Sequence, residues 1–130
     1  MTYLVYQRLI SNTTKHIIND APTSDFAEAH YDLFMPTEDN VEALVSTALY
    51  WDIYRPTMII SADDGVSLSL HETFDAGNGP PKQGINVSSL GKHPFMSVGD
   101  LVVDLYENHV YVCMPEGWHH ISSGELKLSI

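Results

Sequence analysis

Seven histidines, a lone Cys113 and seventeen Asp and Glu residues are the groups in this 130-residue chain that could ligate, attack or exchange protons. His119-His120, with His93 and His109, raise the question of zinc. Neighbouring residues of a strand point to opposite faces, so His119 and His120 do not readily share one ion. The chain has no Cys-x-x-Cys and no His-x-x-x-His spacing, the patterns from which structural zinc sites are usually built. Cys113 falls between Val112 and Met114, the setting of a small buried hydrophobe rather than an activated thiolate. No Gly-x-Ser-x-Gly elbow is present. Gly77-Asn78-Gly79-Pro80-Pro81 lacks the strand-to-helix setting and the lysine of a phosphate loop. Asp63-Asp64 reads as a turn, and Asp100 and Asp104 belong to a strand context.

The acids themselves are the stronger feature. Asp20, Asp25, Glu28, Asp32, Glu38, Asp39, Glu42 and Asp52 crowd residues 20–52, and no Lys or Arg occurs between Lys15 and Arg55. A solvated acidic face is one reading of this run. The sharper one is a docking surface that imitates a phosphate backbone, anchored by aromatics such as Tyr31, Tyr50, Trp51 and Tyr54. Over the whole chain 17 acids face 6 Lys and Arg, a formal net charge of -11. Such a surface repels nucleic acid and anionic lipid, because binding either requires cations. It favours a basic protein partner.

The elements that must position these groups follow from local pattern. Residues 3–10 are rich in aromatic and branched side chains and read as a first strand. Residues 11–14 are turn chemistry, residues 15–18 a short return strand, and residues 19–24 a loop around Pro22. Residues 25–28 could open one helical turn, while residues 31–35 look like a strand stopped by Pro36. One amphipathic helix is expected over about residues 38–52. Val41, Leu44, Val45, Ala48 and Leu49 make a single apolar stripe, Thr37 or Asp39 can cap it, and Asp39 with Glu42 fits a capping box. Residues 58–60 and 66–70 read as a hairpin over Asp63-Asp64-Gly65. Residues 75–92, dense in Gly, Pro and Ser, read as a flexible insertion or loop. Residues 101–105, 110–114 and 118–121 then form a tightly turned meander of a kind that tends to curl. The expectation is one α+β domain over residues 1–130: a curved, mostly antiparallel sheet or partial β-barrel carrying one main helix.

Tyr3-Leu4-Val5-Tyr6-Gln7, Met96-Ser97-Val98-Gly99-Asp100-Leu101-Val102, Tyr111-Val112-Cys113 and Gly117-Trp118 together resemble the YodL-like domains of bacteriophages, conjugative plasmids and integrated elements. The resemblance covers about half the chain. Phe95 stands where that family usually has a small Ser, and residues 57–92 are longer than its spacing. The resemblance implies a mobile-element protein acting against host defences, and it hands over no catalytic residues.

The leading expectation is therefore a non-enzymatic accessory protein, without cofactor or metal, that binds a host protein as a nucleic-acid mimic. Asp25, Glu28, Asp32, Glu38, Asp39, Glu42, Trp51 and Asp52 would form its binding face. A small-ligand or metal-binding enzyme with a site near His93, Asp100, His119 and the 75–92 loop is the first alternative. An oligomeric virion or structural component is the second, and a homodimer fits either binding reading. The single cysteine excludes an internal disulfide, the N-terminus lacks signal-peptide features, and no stretch approaches the roughly 20 apolar residues that span a bilayer. A cytoplasmic location in a bacterial host is expected.

Overall fold

The first strand, β1 (Thr2–Arg8), lies in the middle of the sheet and is buried on both faces. The computed structural model describes residues 1–8, 20, 25–50 and 53–121. After β1 come α1 (Asp25–Asp32), α2 (Val41–Tyr50), β2 (Tyr54–Ala62), α3 (Leu70–Asn78), β3 (Ile85–Ser89), β4 (Leu101–Asp104), β5 (Val110–Cys113) and β6 (Trp118–Ile121). Six strands form one open sheet in the order β3-β2-β1-β4-β5-β6, every neighbouring pair antiparallel. The fold is α+β with a curved sheet, as the pattern predicts. It is open rather than barrel-like, with β3 and β6 as the ends of the strand order.

Period-two alternation sorts β1 between two cores. Leu4 and Tyr6 join Ala27, Leu33, Val41, Val45 and Ala48 under α1 and α2. Tyr3 and Val5 join Met58, Ile60, Val102 and Ala76 under α3. The sheet is thus the middle of three layers. Its register shifts between Val5 and Tyr6, where β2 carries one extra residue, and such a bulge bends the strand pair.

Several local expectations are overturned. Three helices occur among the described residues, the expected main helix being α2. Residues 31–35 are not a strand: Leu33 N bonds Ala29 O, Phe34 N bonds Tyr31 O and Met35 N bonds Asp32 O, so the chain winds out of α1. Leu33 is fully buried there, which outweighs the β preference of its neighbours. The expected 38–52 helix is regular over Val41–Tyr50, and of its apolar stripe Val41, Val45 and Ala48 are buried and Leu44 and Leu49 half-buried. Asn40 is its boundary residue, accepting from Leu44 N at 3.0 Å. Trp51, Asp52 and residues 11–19, with the expected return strand, lie outside the described residues.

The expected hairpin partner at residues 66–70 is also corrected. Asp63-Asp64-Gly65 does turn, with Gly65 at φ +80. Ser69 then caps α3 in a full capping box: its side chain accepts from Glu72 N, and Glu72 accepts from Ser69 N. Once capped, Thr73 and Ala76 share a buried helical face. The partner of β2 is instead β3, so residues 75–92 hold the end of α3 and the sheet's edge strand rather than a loop alone. The meander over residues 101–121 is found as expected. Among the described residues no helix is long and apolar enough to cross a membrane.

Removing the α3 cap isolates its worth. Ser69→Ala is expected to lower stability by about 1 kcal/mol in urea unfolding, and Ser69→Asp to restore most of it.

Candidate functional site

Two short motifs, 93 residues apart, end on side chains that meet. Gln7 leaves β1 and Asp100 precedes β4, both almost fully buried. Gln7 Nε2 donates to Asp100 Oδ2 at 3.0 Å and to the carbonyls of Pro94 and Phe95, each at 3.2 Å. Thr57, at the bulge of β2, donates to Gln7 Oε1 at 2.7 Å. Ser97 N donates to the same Asp100 Oδ2 at 2.8 Å, closing the turn. Next in the chain, Arg8 extends toward α1 and donates to His30 O at 2.8 Å and Val98 O at 2.9 Å. Its guanidinium carbon lies 4.5 Å from the centre of the Phe34 ring. Carbonyl acceptors at the C-terminal end of a helix favour a cation there.

Gly99 completes this junction. Tyr54 Oη donates to its carbonyl at 2.6 Å, and its N–H donates to Cys113 O at 2.8 Å. At φ +92, a Cβ on Gly99 would lie 2.5 Å from Leu33 O. Tyr54 is therefore a buried structural donor and not an exposed anchor, which corrects one aromatic of the expected binding face. On the other side of the sheet, the Asn78 amide pairs with both the N–H and the carbonyl of Met96, tying α3 to the same motif.

Burial pushes the Asp100 carboxyl up to about 6, while the Ser97 amide, Gln7 and Arg8 pull the other way. Burial lowers the Arg8 pKa and raises that of Tyr54. Cys113, as expected of a mid-strand thiol, is buried, and burial pushes it up to about 11. Asp104 is consumed locally, accepting from Tyr106 N at 2.9 Å to set the β4–β5 turn.

The alternative site at His93, Asp100 and His119 is not assembled. His93 bonds Ser89 Oγ and the Pro94 carbonyl, and it connects to Asp100 through that carbonyl and Gln7. His119 pairs with Val112 on the side of the sheet covered by α1 and α2, with Nε2 3.9 Å from Glu42. Among the described residues no group of three or more His, Cys, Asp or Glu could hold a metal ion.

Five of the expected acids are exposed on α1, α2 and the turn between them. Glu28 and Asp32 project from α1, Glu38 and Asp39 from the following turn, and Glu42 from α2, all exposed. Asp25 opens α1, but its side chain lies outside the described ones. Tyr31 and Tyr50 are exposed beside these acids, and so are Phe34 and Met35, which an exposed-aromatic reading of the sequence overlooked. Also overlooked is Trp118. It lines clefts on two sides, one with Phe74 and Met114, the other with Pro36, Glu38, Pro115 and Glu116. Only the fold brings residues 36–38 to residues 114–118. No family model, curated protein or solved structure matches the chain.

Two substitutions probe the junction. Gly99→Ala is expected to cost roughly 2–4 kcal/mol in chemical unfolding, from a strained φ and the clash with Leu33 O. For Asp100 the folded pKa of about 6 exceeds the ordinary carboxyl value near 4, so the folded state holds the proton more tightly. Its stabilising contribution is complete below about pH 4 and is lost as pH rises through about 6, a change of about 3 kcal/mol. Asp100→Asn can keep both hydrogen bonds with its carbonyl oxygen and cannot ionise. Its stability relative to the wild type is expected to rise by about 2–3 kcal/mol between pH 4 and pH 7. A difference independent of pH would contradict the buried ionisation.

Proposed function

We propose that this chain is a small acidic accessory protein of a phage or other mobile element that binds a host protein, occupying a basic nucleic-acid-binding surface as a mimic of the phosphate backbone. One observation carries the reading: Glu28, Asp32, Glu38, Asp39 and Glu42 are exposed on one helical layer, in a segment with no Lys or Arg between Lys15 and Arg55. Because α1 and α2 pack together over the sheet, these carboxylates are displayed on a preformed scaffold. Ordering them on binding costs less than ordering a free acidic tail. Exposed Tyr31, Phe34 and Met35 at the end of α1 supply apolar contact next to the charge. The resemblance of the Tyr3–Gln7 and Met96–Asp100 segments to YodL-like domains supports the mobile-element setting.

The test is capture of bacterial proteins on the immobilised chain at low and high salt, beside Glu28→Lys/Asp32→Lys/Glu38→Lys. Charge-steered binding should weaken steeply with salt, and the triple reversal should weaken it at least about tenfold while the urea midpoint stays close to that of the wild type. Capture indifferent to both changes would overturn the proposal.

A further inference from the structure

We infer that the cleft between the 36–38 turn and the β5–β6 turn receives an arginine side chain from the protein partner. The inference rests on the acidic-docking reading and assigns it a specific contact. The cleft has a volume of about 340 Å³. Pro36, Met114, Pro115 and the indole of Trp118 give it an apolar part, beside Thr37. Two carboxylates from separate parts of the chain, Glu38 and Glu116, also line it. Both are exposed, and neither has an ion pair among the described residues.

An aromatic surface, apolar side chains and two carboxylates around one cleft suit a planar cation with an apolar stem. The stem packs along Met114 and the prolines, the guanidinium stacks on the indole, and the carboxylates accept its N–H groups. An anionic ligand would meet two like charges. A neutral apolar one would desolvate them without compensation.

The cleft is also preformed. Phe74 of α3 packs edge-on against Trp118, ring centres 6.4 Å apart, holding the indole from the far side. Met114 N donates to Gly117 O at 3.0 Å, and Gly117 at φ +74 closes the turn that presents Pro115 and Glu116. The entropy lost when the cation enters is then mainly that of ordering the Glu38 and Glu116 side chains.

The probe is a blocked Gly-Arg-Gly peptide, with the isosteric neutral peptide Gly-citrulline-Gly as control. Titrated into the labelled full chain, the arginine peptide should give saturable NMR shifts at the Trp118 indole N–H and the Met114 methyl. The citrulline peptide should not. Glu116→Gln should abolish the shifts, whereas Glu28→Lys/Asp32→Lys, remote from this cleft's lining, should leave them in place. Equal response to both peptides, shifts that survive Glu116→Gln, or no saturable response at all would overturn the inference. Because Glu116 is not part of the α1–α2 acidic face, the two ideas fail separately. Salt-sensitive capture with no arginine response would discard the cleft and keep the face. A saturable response with salt-indifferent capture would do the reverse.

Discussion

Gln7 and Asp100 meet 3.0 Å apart at the point where β1, the β2 bulge and the turn before β4 converge. A buried carboxylate oxygen that accepts from both Gln7 and Ser97 fixes the turn geometry, and the turn fixes where β4 begins. Gly99, the neighbour of Asp100, then allows a close approach, with the Leu33 carbonyl and the Arg8 guanidinium packed where a side chain would be. Thus α1, β1, β2 and β4 are placed relative to one another by one polar junction set between two apolar cores. Apolar burial supplies most of the driving force, but it is non-directional. The junction has direction: the hydrogen bonds that join Gln7, Thr57, Ser97 and Asp100 form in one arrangement of the strands.

Scaffold and proposed interaction surface are consequently separate. The residues of the two converging motifs are spent on packing and internal hydrogen bonds, and Asp100, the most perturbed carboxyl described, is enclosed by them. The proposed contacts lie instead at the end of α1 and around the β5–β6 turn. There carboxylates and large apolar side chains are exposed together, at Tyr31, Phe34 and Met35 on one side and around Trp118 on the other.

Sequence pattern was most reliable where one short-range rule acted alone. The stripe Val41, Leu44, Val45, Ala48 and Leu49 reads as a helix because a 3.6-residue period has no competing interpretation over that length. The 101–121 meander reads as strands because its turns are marked by Gly99, Asn108 and Gly117, all at positive φ. Residues 66–70 alternate like a strand, yet Ser69 with Glu72 caps a helix, and the capping signal was the better guide. Residues 85–89 carry few β-formers, so their strand character comes from pairing with β2 rather than from intrinsic preference. The acids of the candidate face could be named residue by residue, because charge and local periodicity are properties of short segments. The convergence of Glu38 with Glu116 and Trp118 could not.

Local chemistry, read along the chain, is enough for an α+β protein with a strongly acidic helical segment, one amphipathic helix and a C-terminal meander. The long-range pairings required the folded chain: Gln7 with Asp100, Asn78 with Met96, β2 with β3, and the 36–38 turn with Trp118. The physical reason is the range of the forces involved. Propensity, capping and turn formation act over a few residues and leave their marks in adjacent letters. Register and cleft formation depend on which distant groups are desolvated together, and that is settled only when the two cores close on either side of β1.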